Sequence, residues 1–129
     1  MALHESGEDY LEAILILKEE RGTVRSVDVA QHLGFSKPSV SRAVSILRAD
    51  GLLEMDSDGR LELTQAGETV ARKIYERHCF LTRWLTRIGV TPDTAAADAC
   101  RLEHVISAET FRCLQDYARR QEEKRSEEP

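Results

Sequence analysis

Residues 26–49 read SVDVAQHLGFSKPSVSRAVSILRA, and this stretch decides the fold of the N-terminal half. Apolar residues recur at helical spacing on both sides of a turn at residues 34–36, which predicts two short helices. Ser26 is the predicted N-cap of the first helix and Ser36 of the second, whose first turn tolerates Pro38. Such a pair is typical of a helix-turn-helix, in which the second helix enters the major groove of DNA.

The neighbouring elements complete a winged helix-turn-helix. An amphipathic helix is predicted over residues 5–20 from the spacing of its apolar side chains. After the helix-turn-helix, strand-like runs at residues 52–55 and 60–63 flank an acid-glycine turn, which indicates a β-hairpin. This order of elements predicts a DNA-binding domain with a small two-stranded wing, and we assign it to residues 1–70.

The second half of the chain is predicted to contain only helices. A long helix runs from a cap at Thr64 to residue 88, a second helix occupies residues 92–106, and Ser107 caps a third. The charged tail from residue 121 onward is expected to fray. The predicted fold class is therefore mainly α, with an N-terminal winged helix-turn-helix followed by an all-helical domain over residues 71–129.

The composition is typical of a helical protein from a reducing compartment. The 129 residues are 41% hydrophobic and 32% charged, and only 7 are glycine and 3 proline, which leaves few turns for an all-β fold. The odd, sparse set of cysteines does not resemble a secreted disulfide framework, and no apolar run approaches the ~20 residues of a membrane span. No basic segment followed by an apolar run opens the sequence, so we expect no secretory signal. We therefore expect a cytoplasmic protein with no membrane partner, in which Cys79 and Cys113 are small packing residues.

The second helix of the helix-turn-helix has the features of a DNA reader. Its only charged side chains are Lys37, Arg42 and Arg48, although the whole chain has a net charge of −5. Arg42 is suited to a two-hydrogen-bond contact with guanine, whereas Arg48 and Arg60 on the wing are suited to phosphates. A solvated helix face is the alternative, but the helix-helix-hairpin order favours DNA. The predicted DNA-binding residues are Ser36, Lys37, Pro38, Ser39, Ser41, Arg42, Ser45, Arg48 and Arg60.

A single unit of this size makes few contacts with DNA. Tight and specific binding therefore requires two copies, and we expect a homodimer on a palindromic double-stranded operator.

A group of metal-ligand side chains lies on the predicted helix at residues 92–106. Residues 100–104 read CRLEH, and Cys100, Glu103 and His104 share one helix face because they are three and four residues apart. Thiolate, imidazole and carboxylate together suit a first-row divalent transition metal better than calcium or magnesium.

Three further candidate ligands lie outside this run. Asp9 and Glu12 form an acidic pair one helical turn apart, and His78 lies on the long helix. By spacing alone, such acids are more often simply solvated, and a single histidine more often has an ordinary hydrogen-bond partner. His4 and His32 have no other ligand-type residues in a comparable pattern.

Several motifs together resemble the metal-dependent repressors of the diphtheria toxin repressor and manganese transport regulator family. The resemblance extends from about residue 7 to about residue 117. It implies a homodimeric winged-helix repressor whose second half is a helical dimerisation domain, in a short form without the SH3-like domain of the longer iron-sensing members. The motifs are EDYLE at 8–12, SKPSVS at 36–41, LTQAG at 63–67, RH at 77–78 and CRLEHVIS at 100–107.

The resemblance also implies a set of metal ligands. The manganese branch has acids at positions 9 and 12 but a glutamate in place of Cys100, whereas the iron branch has the cysteine but a methionine in place of Asp9. The ancillary site of the iron branch has an acid and a histidine where this chain has Thr82 and Ala96. Carried over by position, the implied ligands are Asp9, Glu12, His78, Cys100, Glu103 and His104.

The donor types indicate which metal to expect, and the positions of the ligands indicate how the metal would control DNA binding. Because a thiolate favours Fe(II) over Mn(II), we expect Fe(II) as the signal and Mn(II) as the second candidate, with enough carboxylate oxygens to bind two ions per subunit. The implied ligands come from both halves of the chain, so a bound ion would join the halves and fix the reader helices of a dimer about 34 Å apart.

Two other functions remain as alternatives from the residues alone. A winged-helix regulator of the multiple-antibiotic-resistance type would bind an organic effector in a cleft instead of a metal. An enzyme would need a motif such as a glycine-rich phosphate loop, a nucleophile elbow or an HExxH run, and the chain has none of these. We therefore expect neither enzymatic activity nor an organic cofactor.

Overall fold

The structure is a computed structural model that describes residues 5–127, with side chains described from Gly7 onward. His4 and the last two residues of the predicted tail lie outside this part of the chain. The predicted order of elements and the predicted fold class are confirmed. The elements are α1 (Glu5–Arg21), α2 (Ser26–Leu33), α3 (Lys37–Ala49), β1 (Leu53–Met55), β2 (Leu61–Leu63), α4 (Gln65–Arg87), α5 (Pro92–Val105) and α6 (Ala108–Glu127).

The chain divides into two compact units, Met1–Tyr75 and Glu76–Pro129, and the division falls inside α4. Our assignment of domains to residues 1–70 and 71–129 stays a prediction. Within residues 5–127, no helix combines the length and the apolar character that crossing a bilayer requires.

The first unit is a winged helix-turn-helix built around one apolar core. The predicted helix α1 is not amphipathic in its middle, where residues 10–15 are all buried, and it packs with the apolar faces of α2 and α3. The antiparallel strands β1 and β2 pair Leu53 with Leu63 and Met55 with Leu61. The core buries Tyr10, Leu11, Ile14, Leu15, Leu17, Val24, Val29, Ala30, Val40, Val44, Leu47, Leu53, Leu61 and Ala71.

The segment between α1 and α2 adds a feature that the sequence did not predict. The Leu61 N–H donates to the Val24 carbonyl at 2.7 Å, and Arg25 forms an isolated antiparallel bridge with Arg60. Lys18 on α1 also pairs with Glu62 on β2. The wing is therefore joined to α1 and to the residues that follow it.

The predicted N-cap of α2 is wrong by one residue. Arg25 has extended backbone and is the cap, while Ser26 is the first helical residue. The carboxylate of Asp28 in the first turn of α2 accepts a hydrogen bond from the Arg25 N–H at 2.9 Å, so it satisfies the backbone N–H of the N-cap residue.

The junction between the wing and α4 explains the LTQAG motif. The Thr64 hydroxyl donates to the Gly51 carbonyl at 2.7 Å and accepts the Gly67 N–H at 3.1 Å, which caps the helix. A side chain at Gly67 would have its Cβ only 2.0 Å from the Leu52 carbonyl oxygen. Only glycine therefore permits this close approach of α4 to the wing.

The second unit contains the rest of α4 together with α5 and α6. Its buried apolar side chains are centred on Phe80 and Phe111, whose rings meet edge to face with centroids 5.4 Å apart. Ser107 caps α6 by accepting the Thr110 N–H at 3.1 Å, as predicted.

Two expectations for the second unit are wrong. The tail is helical rather than irregular beyond residue 121, because α6 continues to Glu127 through residues that are mostly good helix formers and include no glycine or proline. Cys79 and Cys113 are exposed rather than packed, since each is next to, and not on, the helix face that carries Phe80 or Phe111.

Candidate metal centre and nucleic-acid interface

The reader helix α3 has one buried face and one exposed face. Ser36 is its N-cap, with its hydroxyl oxygen accepting the Ser39 N–H at 3.3 Å. Val40, Val44 and Leu47 are buried in the core, so the opposite face of the helix is directed to solvent. The predicted DNA-binding residues on α3 and at its cap are all exposed: Ser36, Lys37, Pro38, Ser39, Ser41, Arg42, Ser45 and Arg48.

The wing presents the remaining predicted contact, Arg60, at its surface. The turn before it is organised by Asp56, whose carboxylate accepts the N–H groups of Asp58 and Arg60, each at 2.9 Å. The hydrogen bond from the Arg60 N–H is the main reason that the pKa of Asp56 is lowered, and the charges of Arg60 and Arg25 contribute in the same direction. A charged Asp56 therefore holds the turn that carries Arg60.

Three predicted metal ligands meet in the second unit. His78 on α4 and Cys100 and Glu103 on α5 each offer one donor atom, and these three atoms lie within 4.8 Å of one another. The Nδ1 atom of His78 is 2.9 Å from Oε2 of Glu103 and 3.8 Å from Sγ of Cys100. The ligands from two separate helices therefore converge, which the helix spacing of residues 100–104 alone did not show.

The carboxylate of Glu103 is the deepest part of this group. The residue is 0% exposed, and its Oε1 atom, although 3.3 Å from Nε2 of His104, accepts no hydrogen bond of adequate geometry from any described residue. A buried carboxylate oxygen without a donor is costly, and a bound cation would remove that cost. The buried oxygen and the mixed sulfur, nitrogen and oxygen donors both fit a divalent transition metal.

The side of the group formed by sulfur is open to solvent. Cys100 is exposed and the His78 side chain is 24% exposed, whereas the Glu103 side chain is fully buried. The side chain of His104 is 1% exposed. The donors thus range from the surface to the interior of the unit.

The two remaining predicted ligands belong to the first unit. Asp9 is half-buried and Glu12 is 8% exposed, one turn apart on the same helix. Burial, followed by the nearby charge of Asp9, raises the pKa of Tyr10. The buried position of Glu12 on an apolar helix was not evident from the sequence, and the role of both acids as ligands stays a prediction.

Arg77 belongs to the RH motif at residues 77–78, but the sequence indicated no role for it. Arg77 is only 7% exposed, and its guanidinium donates to the carbonyls of Glu103 at 3.2 Å and Ile106 at 2.9 Å. The only hint of its role was its position beside His78, but a single arginine on a helix is normally predicted to be an exposed charge.

Known proteins similar to this chain share both halves of it. Residues 2–61 match a family described as the iron-dependent repressor N-terminal DNA-binding domain, and residues 64–129 match the iron-dependent repressor metal-binding and dimerisation domain. The chain is 39% identical over 104 residues to the transcriptional regulator MntR of Escherichia coli O6:H1, covering 81% of this chain and 67% of that protein.

Two further comparisons extend over more of the chain. It is 38% identical over 113 residues to the iron-dependent repressor IdeR of Mycobacterium tuberculosis, covering 87% of this chain and 49% of that protein. The solved structure of the manganese regulator SloR superposes with a TM-score of 0.79 and 27% identity, over 92% of this chain and 55% of that one. The chain thus spans about half to two thirds of the length of these proteins. The resemblance inferred from the motifs is confirmed, and the chain belongs to the iron-dependent repressor family of metal-dependent transcriptional regulators.

Proposed function

We propose that this protein is a homodimeric repressor that binds a palindromic operator when it is loaded with Fe(II), and that Mn(II) is the second candidate. The observation that carries the proposal is the convergence of His78, Cys100 and Glu103, whose donor atoms lie within 4.8 Å of one another. The cytoplasm is the proposed site of action, in keeping with three cysteines that form no disulfide.

The choice of Fe(II) rests on the sulfur ligand. The similar proteins include one named as iron-dependent and one named as a manganese regulator, so family membership does not decide the metal. The thiolate of Cys100 is a softer donor than a carboxylate, and softer donors favour Fe(II) over Mn(II). The general affinity order of divalent ions points in the same direction.

Each proposed ligand would contribute a different donor group to the metal ion. Glu103 supplies a buried carboxylate, Cys100 a solvent-facing thiolate and His78 an imidazole, while His104 is a further nitrogen donor. When bound, a divalent ion supplies two positive charges that offset the buried carboxylate. Asp9 and Glu12 are proposed to complete the ligand set, which then has enough oxygen donors for two ions per subunit.

The DNA contacts are proposed from the exposed face of α3 and from the wing. Arg42 would read guanine through its forked guanidinium, and the other exposed residues of α3 would contact nearby base edges and phosphates. Arg60 would contact phosphate from the wing. Metal binding would control whether two such reader helices are spaced about 34 Å apart, as a palindromic site requires.

The test is a metal titration of DNA binding by the full chain. After chelation, the protein is titrated anaerobically with Fe(II), Mn(II), Co(II) or Zn(II) in the presence of a labelled duplex selected from a random pool. We expect tight binding with Fe(II), and weaker activation by Mn(II) at equal free concentration. Unchanged DNA binding after complete chelation would contradict the proposed metal dependence. A response to Mn(II) alone would contradict the choice of Fe(II).

A cysteine comparison sharpens the test of the metal. Cys100→Glu replaces the sulfur ligand with a carboxylate and should move the preference from Fe(II) toward Mn(II). Cys113→Ser is the matched control because this cysteine is also exposed but lies on α6, outside the ligand group. An unaltered Fe(II) preference in Cys100→Glu would show that the sulfur does not select the metal.

A further inference from the structure

Arg77 is a buried arginine beside the proposed metal centre, and the proposed function does not use it. It lies on α4 directly before His78 and is 7% exposed. Its Nη1 atom donates to two main-chain carbonyls, those of Glu103 at 3.2 Å and Ile106 at 2.9 Å. Its guanidinium also lies over the ring of Phe111, 5.4 Å from the centroid. One side chain therefore contacts the end of α5 and the start of α6.

The carbonyls that Arg77 binds belong to the C-terminal end of α5. The last carbonyls of a helix have no N–H partner within the helix and need other donors. The Ile106 N–H satisfies the Leu102 carbonyl at 3.1 Å, and Arg77 satisfies the Glu103 carbonyl. A positive charge at this end of the helix is also favourable to the helix dipole.

Arg77 and His78 hold the same residue of α5 from two directions. Arg77 binds the main-chain carbonyl of Glu103, while Nδ1 of His78 lies 2.9 Å from the Glu103 carboxylate. The backbone of Glu103 is therefore fixed at the place from which its carboxylate reaches the donor group. We propose that Arg77 is a positioning residue that holds Glu103 in its metal-binding geometry before any ion arrives; this inference rests on the proposed metal centre.

The cost of burying Arg77 supports a role beyond packing. Its Nε–H group has no hydrogen-bond partner among the described residues. A buried guanidinium with an unsatisfied Nε–H carries a desolvation cost, so packing alone does not explain an arginine here. Groups that orient metal ligands, by contrast, typically change metal affinity about 10–100-fold when they are removed.

The test measures metal affinity and metal geometry in the full chain. Co(II) is titrated anaerobically against a competing chelator, and its visible absorption reports both the dissociation constant and the coordination geometry. The variants are Arg77→Met, Arg77→Lys and the control Arg119→Met, which removes an exposed arginine of α6 that pairs with Asp116. Thermal unfolding of each metal-free variant is recorded in parallel.

If Arg77 is a positioning residue, the Co(II) affinity and spectrum should depend on whether the guanidinium is present. They should not simply track the thermal stability of the variants. Arg77→Met should bind Co(II) about 10–100-fold more weakly with an altered absorption spectrum, while Arg119→Met matches the parent. Arg77→Lys should fall between them, because its ammonium can still donate to a carbonyl, but its side chain is one bond shorter and has no planar group to lie over the ring of Phe111. The metal-free melting temperature of Arg77→Met should also fall, because the Glu103 and Ile106 carbonyls lose their donor, so the affinity and the spectrum, and not the stability, test the role.

The outcomes separate this inference from the proposed function. Parent-like affinity and spectrum in Arg77→Met overturn the positioning role, even if its melting temperature falls. If Arg77→Met does not fold, Arg77→Lys decides, and parent-like affinity and spectrum in that variant overturn the role equally. A parent that binds no Co(II) overturns both proposals, whereas a parent that binds Co(II) without gaining operator affinity contradicts only the proposed function.

Discussion

Helices α3 and α5 both carry proposed functional side chains along one face, but they place those side chains in opposite environments. On α3 the polar residues are exposed and the apolar residues beneath them are buried. On α5 the charged side chain of Glu103 is fully buried, while the apolar Leu102 and Val105 are partly or largely exposed. The proposed DNA surface therefore follows the usual rule for a soluble helix, and the proposed metal centre reverses it.

This difference indicates how each region is stabilised. The face of α3 needs no partner in order to fold, because water satisfies its serines and arginines. The buried carboxylate of α5 depends on neighbours such as His78 and on whatever cation the group binds. Variants in α5 should therefore have larger effects than variants in α3, and the size of those effects should depend on whether a metal ion is bound.

The largest effect is expected from removing a buried ligand. Glu103→Ala and His104→Ala should abolish the metal response of operator binding, with metal affinity falling by more than the ~100-fold seen when outer partners of ligands are lost. Fluorescence anisotropy of the selected duplex, with and without metal, measures the response. Glu109→Ala is the matched control, because it removes an exposed acid from the first turn of α6. A normal metal response in either ligand variant would disprove the proposed centre.

The next effect concerns the backbone that supports α3 and the wing. Gly67→Ala places a Cβ 2.0 Å from the Leu52 carbonyl oxygen, so the wing or α4 must move, at a cost of at least ~1–3 kcal/mol in the free energy of unfolding. Urea denaturation measures this loss. Gln65→Ala, at the exposed first residue of α4, should be nearly neutral. Equal stability of the two variants would show that the close approach is not rigid.

A smaller and more selective effect is expected on the exposed face of α3. Arg42→Ala should weaken operator binding by about 1–3 kcal/mol and leave metal affinity unchanged, because the lost contact is to a base. Arg48→Ala should instead weaken binding to operator and scrambled DNA alike, as expected for a phosphate contact. Competition binding with both duplexes tests the pair. If the parent itself does not distinguish the duplexes, the role of Arg42 is wrong.

The smallest effect is expected at the wing turn. Because the pKa of Asp56 is lowered in the folded protein, its contribution to stability is present above the unfolded pKa of about 4 and is lost as pH falls through the lower folded value. The amide proton chemical shifts of residues 58 and 60, followed by NMR between about pH 2 and 6, should change as this carboxylate is protonated. Asp56→Asn should flatten the dependence, whereas Asp58→Asn keeps the backbone donor and should retain it. A parent with no pH dependence in this range would contradict the assignment.

The sequence predicted the α3 surface well because its information is local. Helical spacing separates Val40, Val44 and Leu47 from the serines and arginines, and the Ser36 cap marks the start of the helix. The hairpin likewise follows from its turn residues. Patterns of this kind depend only on near neighbours along the chain, so no tertiary structure is needed to read them.

The parts that the sequence missed depend on contacts between distant residues. A single bridge such as Arg25 with Arg60 has no periodicity that could reveal it. The burial of Arg77 depends on carbonyls that lie 26 and 29 residues further along the chain. In the ligand group, spacing related Cys100 to Glu103, but only the fold brings His78 to them.

The contacts between the wing and the N-terminal part of the first unit bear on how a movement of α1 would affect the wing. The Val24–Leu61 hydrogen bond and the Lys18–Glu62 pair connect the N-terminal helix and the segment that follows it to the hairpin. If the proposed ion binds Asp9 and Glu12 and shifts α1, these contacts would carry part of that shift to the turn before Arg60. The contacts that support the hairpin would thus couple the position of α1 to the proposed phosphate contact of Arg60.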